Sequence, residues 1–291
     1  MGVHIPEVKA FFDEDSNTIS YVVSCAETRH AAIIDSVLGL DYASGGISYQ
    51  LADDMLDYIA QKELVIDWLI ETHVHADHLS AAPYIQSQLG GKLGIGEGIK
   101  TVQSVFGKIF NEGTDFKRDG SQFDCLFKDG DTYKIGSLEV TAIHTPGHTP
   151  ACMTHLIGDA AFVGDTLFMP DGGTARADFP GGDARALYRS IHRILSLPDE
   201  TRLFMCHDYG PNGRDFIWQT TVQEQRRMNI HVRDGITEDE FVDLRQKRDS
   251  GLDMPDLLIP SIQVNMRAGH FPEAEANGSI YLKVPISGIK N

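Results

Sequence analysis

Cysteine is scarce and unpaired in this sequence. Cys25, Cys125, Cys152 and Cys206 are the whole set among 291 residues, and no two are spaced as CxxC. Isolated thiols exclude the disulfide framework of a small secreted domain and point to reduced cysteines in the cytoplasm. Basic residues are also few: 25 Lys and Arg face 42 Asp and Glu, a formal net charge of −17. That balance argues against a general nucleic-acid or anionic-membrane binder and leaves room only for a local basic pocket. No run reaches the ~18 apolar residues of a membrane span. The first thirty residues carry Glu7, Asp13, Glu14 and Asp15 and no apolar stretch of signal length, so no export is expected. Pro6 stands where a myristoylation signal needs Ser or Thr. There is no internal repeat and no low-complexity tract. The length suits one large domain or two smaller ones, with apolar residues enough for a large core.

What is present is alternation. Ile19–Cys25 and His30–Asp35 read as strands, Gly39 to Gly46 as a loop, and Ser48 to Lys62 as a helix with Leu51, Met55, Leu56 and Ile59 on one face. Leu64–Ile70 reads as a buried strand, Ser80–Leu89 and Ile99–Phe110 as helices, and Tyr133–Ile135 and Leu138–Ile143 as short strands. The second half repeats the pattern: strands Cys152–Ile157 and Ala160–Val163, a helix Ala184–Leu195, and a strand Leu203–Cys206. Thr237 and Glu240 form a capping-box pattern opening a helix to about Asp249. The tail from Pro255 is rich in Pro and Gly, with one late strand expected at Ile280–Val284. Two packed sheets with helices outside suit this order. Residues 1–230 would form the catalytic domain, and 231–291 a C-terminal extension packed on it or an oligomer surface.

The chemistry gathers where strands stop. Thr72-His73-Val74-His75-Ala76-Asp77-His78 follows the Leu64–Ile70 strand and holds three imidazoles and a carboxylate within seven residues. Such groups are common metal ligands, and a strand end fixes the backbone behind them. His73 and His75 alternate onto one side of an extended segment. His148 sits in a Pro-Gly turn, which holds its orientation; His144, at the preceding strand end, is equally readable as structural. Asp165 and His207 each follow a strand in the same way. Cys152 and Cys206, within strands, read as core rather than catalytic.

The ordered set HxHxDH at 73–78, His148, Asp165 and His207 resembles the metallo-β-lactamase superfamily, which implies an αββα sandwich with the metal site at one edge of its two sheets. Within that broad family, residues 146–152, Gly173-Thr174-Ala175-Arg176-Ala177-Asp178-Phe179, Cys206-His207-Asp208-Tyr209 and Gln263–Gly269 resemble the bacterial persulfide dioxygenases. The resemblance implies one Fe(II) per chain on His73, His148 and Asp165, oxidising glutathione persulfide with O2 to sulfite and glutathione. A two-His, one-carboxylate set leaves positions open for both O2 and a sulfur. His75, Asp77, His78 and His207 would then orient ligands and move protons. The spacing alone equally allows two zinc ions bridged by Asp165, as in a glyoxalase II-like hydrolase of thioesters or lactones. A metal-bearing sulfide sensor is a third class. Ala177 departs from the Cys expected of many bacterial relatives. For substrate, Arg176 reads as a carboxylate anchor or as a pin for its own loop, and Asp178 equally as the residue orienting that fork or as a loop turn residue; Tyr209 and Arg214 are further candidates at the same mouth. A cytoplasmic homo-oligomer is expected.

Overall fold

In the computed structural model, which describes residues 5–286, two six-stranded sheets face each other. The first orders Glu7–Asp13, Thr18–Ser24, His30–Ile34, Val65–Ile70, Lys92–Gly96 and Cys125–Phe127 side by side. The second orders Thr132–Ile135, Leu138–His144, Met153–Ile157, Ala160–Phe162, Arg202–Phe204 and Gln219–Thr221. Their inner faces meet through Tyr21, Ile34, Ile70, Ile135, Phe162 and Phe204, all buried. The alternating side chains of each strand make this possible: one set fills the inter-sheet core, and the other lies under helices.

Helices α1 (Gln50–Gln61), α2 (Ala82–Leu89) and α3 (Ile99–Ile109) cover the outer face of the first sheet. Helix α4 (Ala184–Ile194) covers the second, presenting Leu187, Ile191 and Ile194 at helical spacing, with the Asp183 carboxylate accepting from Ala186 N at its start. After the short α5 (Val222–Met228) comes α6 (Glu238–Asp249), which carries the expected Thr237–Glu240 capping box. The αββα sandwich is therefore present. Among the described residues no helix is long and apolar enough to cross a membrane.

Several elements differ from the sequence reading. The stretch 39–46 is not a plain loop: Val37–Asp41 and Gly46–Ser48 pair antiparallel around a turn whose Gly45 takes a positive φ. The tail holds a helix, α7 (Leu258–Asn265), whose Pro260 sits in the first turn, where a missing N–H costs nothing. Leu258, Ile262, Val264 and Met266 join the core under the first sheet, so the extension has no separate core there. Ile280–Val284 is not a strand. The Gln263 side chain satisfies that backbone instead, accepting from Lys283 N and donating to Lys283 O.

The extension also holds the loop of residues 173–179. Thr174 N donates to His231 Nδ1 at 3.0 Å, so that nitrogen must be unprotonated. Burial, with Arg245 and Arg248 adding repulsion, lowers the His231 pKa to about 4. In the unfolded chain it would titrate near 6.5. The unfolded state therefore binds the proton first, and the stability this contact supplies is full above about pH 6.5 and is lost as pH falls toward 4. His231→Gln keeps an acceptor and removes the titration. Between pH 7 and 4.5 the wild type should lose about 2 kcal/mol more than this variant in denaturant unfolding; equal losses would contradict the assignment.

Candidate metal centre

The strand Val65–Ile70 is parallel to both its neighbours, so its carboxyl end opens at one edge of the sheet. Residues 71–78 leave from that end. The ends of Leu138–His144, Ala160–Phe162 and Arg202–Phe204 deliver His148, Asp165 and His207 to the same edge. Two backbone bonds stitch the sheets together beside it: Ile19 N to Cys206 O at 2.7 Å, and Met153 N to Thr72 O at 2.8 Å. His73, His75, His78, His148, Asp165 and His207 are all buried.

Each imidazole is oriented by a protein oxygen on one nitrogen, leaving the other to the site, as metal-ligating histidines require. His73 Nδ1 donates to the Thr72 hydroxyl at 3.0 Å, which donates to Asp35 Oδ2 at 2.8 Å. His75 Nε2 donates to Asp35 Oδ1 at 3.0 Å, with Glu71 Oε2 at 3.3 Å. His78 Nδ1 donates to Leu79 O, His148 Nδ1 to Arg176 O, and His207 Nδ1 to Asn17 O. These assignments follow from the hydrogen-bond network. The facing atoms His73 Nε2, His75 Nδ1, His78 Nε2 and Asp165 Oδ1 are buried and have no hydrogen-bond partner. Orphaned buried atoms are costly, and these four, on neighbouring donors, fit bound metal.

Two separate groups of donors divide the HxHxDH residues between them, each with its atoms within 4.8 Å of one another: His73, His148 and Asp165, then His75, Asp77 and His78. His207 Nε2 lies 3.3 Å from both Asp77 Oδ2 and Asp165 Oδ1, between the two groups. Burial and the neighbouring imidazoles hold His73 well below the usual histidine range, neutral and able to ligate. Burial also presses on His75, but Asp35 and Glu71 outweigh it and raise its pKa well above normal. Burial and the repulsion of His75 lower His78 to about 4. For Asp77 burial works upward, and His207 and His78 overcome it, lowering the pKa to about 2.

His144 lies outside the centre, its Nε2 donating to Pro150 O. Cys206 is nearer than its place in a strand suggested, within 4.8 Å of Asp165 and His207 donors. Its thiol donates to Asp35 Oδ2 at 3.6 Å, and burial with the surrounding carboxylates keeps it neutral. Ala177 faces the α4–α6 side, in the core that holds Leu187 and Phe241, so a thiol at that position would not look onto the metal ligands.

A cavity of about 520 Å³ opens beside His148, Asp165 and His207. Tyr209 lines it, half exposed, its ring stacked 6.0 Å from His207. Arg176 lines it too, but its fork is taken: Nε and Nη2 donate to Asp178 at 2.6 and 2.8 Å, and Nη1 to Asp253 O. Its backbone carbonyl orients His148, so pinning this loop positions a ligand. Arg214 has no N–H free to offer a substrate. All five of its N–H groups are committed, to Asp171, Asp208 and Asp215 O, and it instead fixes the Asp208 beside His207.

Two residues of this site were not recognised in the sequence. Asp35 reads in the sequence only as the last residue of a strand, and here it takes a positive φ of 52°; its burial is the missing information. Asn265, from α7, reaches across to the metal loop: its amide donates to His75 O and His78 O at 2.9 and 2.8 Å, and its oxygen accepts from Ser80 N. The segment containing it stood out only by resemblance.

The metallo-beta-lactamase superfamily model matches residues 14–207, and the chain belongs to that superfamily. It is 54% identical to a probable metallo-hydrolase of Burkholderia pseudomallei, over 97% of this chain and 99% of that one. It is 46% identical to glyoxylase B2 of Dictyostelium discoideum, over 98% of each. Persulfide dioxygenase ETHE1 of Homo sapiens is 29% identical over 90% of this chain and 88% of its own. Among solved structures, ETHE1 from Myxococcus xanthus superimposes with a TM-score of 0.72 at 28% identity, covering 91% of this chain and all of that one.

Asp35→Asn keeps the size of the side chain and removes the charge that orients Thr72 and His75. Metal affinity should fall about 10- to 100-fold, the usual cost of losing such a partner, with a folded far-UV spectrum. Unchanged affinity in a competition titration with a chelator would contradict this role for Asp35.

Proposed function

We propose that this chain is a non-haem Fe(II) persulfide dioxygenase acting in sulfide detoxification. It would convert glutathione persulfide, O2 and water into glutathione, sulfite and two protons. The observation that carries this reading is the unequal state of the two donor groups. His73, His148 and Asp165 turn toward one point: His73 Nε2, which has no hydrogen-bond partner, and His148 Nε2 lie 3.8 and 3.5 Å from the same Asp165 Oδ2. On the other side Asp77 accepts from the Thr18 hydroxyl at 3.2 Å and His75 is held between two buried carboxylates, while His207 stands 3.3 Å from Asp77 and Asp165 alike. A single ion on two histidines and one carboxylate is the donor set of non-haem iron oxygenases. The likeness to ETHE1 over nearly the whole chain supports the same assignment.

Bound Fe(II) would supply open positions at which O2 and a persulfide sulfur meet. The protein's part is placement. Thr72 and Arg176 O fix the rings of His73 and His148. His207 Nε2, between the Asp77 and Asp165 carboxylates, holds a proton at the cavity wall, where the reaction must release two. Phe168, Phe179 and Tyr209 line the cavity and limit water.

The second reading is a dizinc hydrolase of thioesters or lactones. The unpartnered His75 Nδ1 and His78 Nε2 favour it, as do the names of the metallo-hydrolase and glyoxylase relatives. One preparation separates the two. After anaerobic purification, the dioxygenase reading expects about one iron per chain and steady oxygen uptake with glutathione persulfide. It also expects both to be lost in His73→Ala, His148→Ala and Asp165→Ala. Two zinc ions per chain, with thioester hydrolysis and no oxygen uptake, would overturn it.

A further inference from the structure

Any carboxylate-bearing substrate entering this cavity meets an acidic wall: Asp77, Asp165, Asp171, Asp208 and Asp253 all line it. The wall also carries three arginines, Arg176, Arg245 and Arg248. Two of them are spent on the fold. The Arg176 fork is closed by Asp178 and capped by Asp253 O, and its guanidinium lies 4.9 Å over the Phe179 ring. Arg245 is fully buried, with Nε and Nη2 on Asp249 and Nη1 on Thr174 O.

Arg248 differs. It is exposed on the last turn of α6, and among the described residues its guanidinium has no hydrogen-bond or ion-pair partner. The nearby groups it acts on, His231 and Arg245, repel a cation rather than neutralise one. Asp249, the acid adjacent to it in sequence, is already held by Arg245. An unpaired guanidinium keeps its planar fork free for a carboxylate. Beside it Leu252, Pro255 and Ile230 give an apolar floor for an uncharged middle section of a ligand.

We propose that Arg248 is the specificity-determining anchor of this site. It binds a carboxylate of a glutathione-type thiol derivative whose sulfur points at His148 and Asp165. This rests on the proposed function for the identity of the thiol, but the anchor serves a glutathione thioester equally well, so the two claims can fail separately. Arg248 displaces Arg176 and Arg214 from the anchoring role, because their forks are occupied in the fold itself.

The test is calorimetric titration of the metal-loaded protein with S-methylglutathione, an unreactive probe carrying both carboxylates. Arg248→Ala should weaken binding about ten- to hundredfold, the range expected for one charge-assisted hydrogen bond, with metal content unchanged. Arg248→Lys should recover part of it. The diesterified probe should bind the wild type weakly and be indifferent to Arg248→Ala. Lys247→Ala removes the same charge from the adjacent exposed position outside the cavity and should bind like the wild type. Wild-type affinity in Arg248→Ala, an equal loss in Lys247→Ala, or no binding of the probe to the wild type would each overturn the anchor. Arg248-dependent binding without oxygen uptake on glutathione persulfide would leave the anchor standing and remove the dioxygenase.

Discussion

The Asp35 carboxylate is the group on which the rest of the centre depends. It is buried, and it accepts from Thr72 N, the Thr72 hydroxyl, His75 Nε2 and the Cys206 thiol. Burial alone would push its pKa up; the His75 imidazole and the Thr72 donors outweigh that and hold it below the usual range. A buried charge is tolerable only when so many donors meet it. The consequence is structural. One carboxylate at the end of the third strand fixes the start of the HxHxDH loop, the ring of its second histidine, and the strand leading to His207.

From that anchor the remaining rings are placed by backbone oxygens, and Asn265 closes the loop from the far end of the chain. The C-terminal segment is thus part of the centre through its hydrogen bonds, although it supplies no donor to the metal. Its side chains also fill the core under the first sheet, so the site and that core are stabilised by the same residues. Position 177 illustrates the reverse case. It lies in the conspicuous loop after Asp165, yet it faces the α4–α6 packing. The Ala177 side chain therefore leaves the metal-site donors untouched.

Where periodicity or a donor pattern stands in one short segment, the sequence was legible. The strands ending at Ile70, Ile143 and Cys206 were visible from apolar runs, α4 from its stripe, and α6 from its capping box. The candidate metal ligands were visible because four strand ends each carry a His or Asp. Long-range partnerships were not visible. A Pro-rich tail hid α7, since Pro260 is harmless only at a position that the helix boundary defines. Burial made Asp35, in the sequence only the last residue of a strand, an organising charge. The arginines show the limit most clearly: Arg176, Arg214 and Arg248 are alike as letters, and only their acidic neighbours decide which fork is free.

The central claim is that the centre holds one iron, on His73, His148 and Asp165, while His75, Asp77, His78 and His207 serve it from outside. Crystals of anaerobically purified protein, measured on both sides of the iron and zinc absorption edges, test it directly. The account predicts a single anomalous peak per chain at those three residues, present above the iron edge and lost below it. Two peaks sharing Asp165, changing across the zinc edge instead, would contradict it.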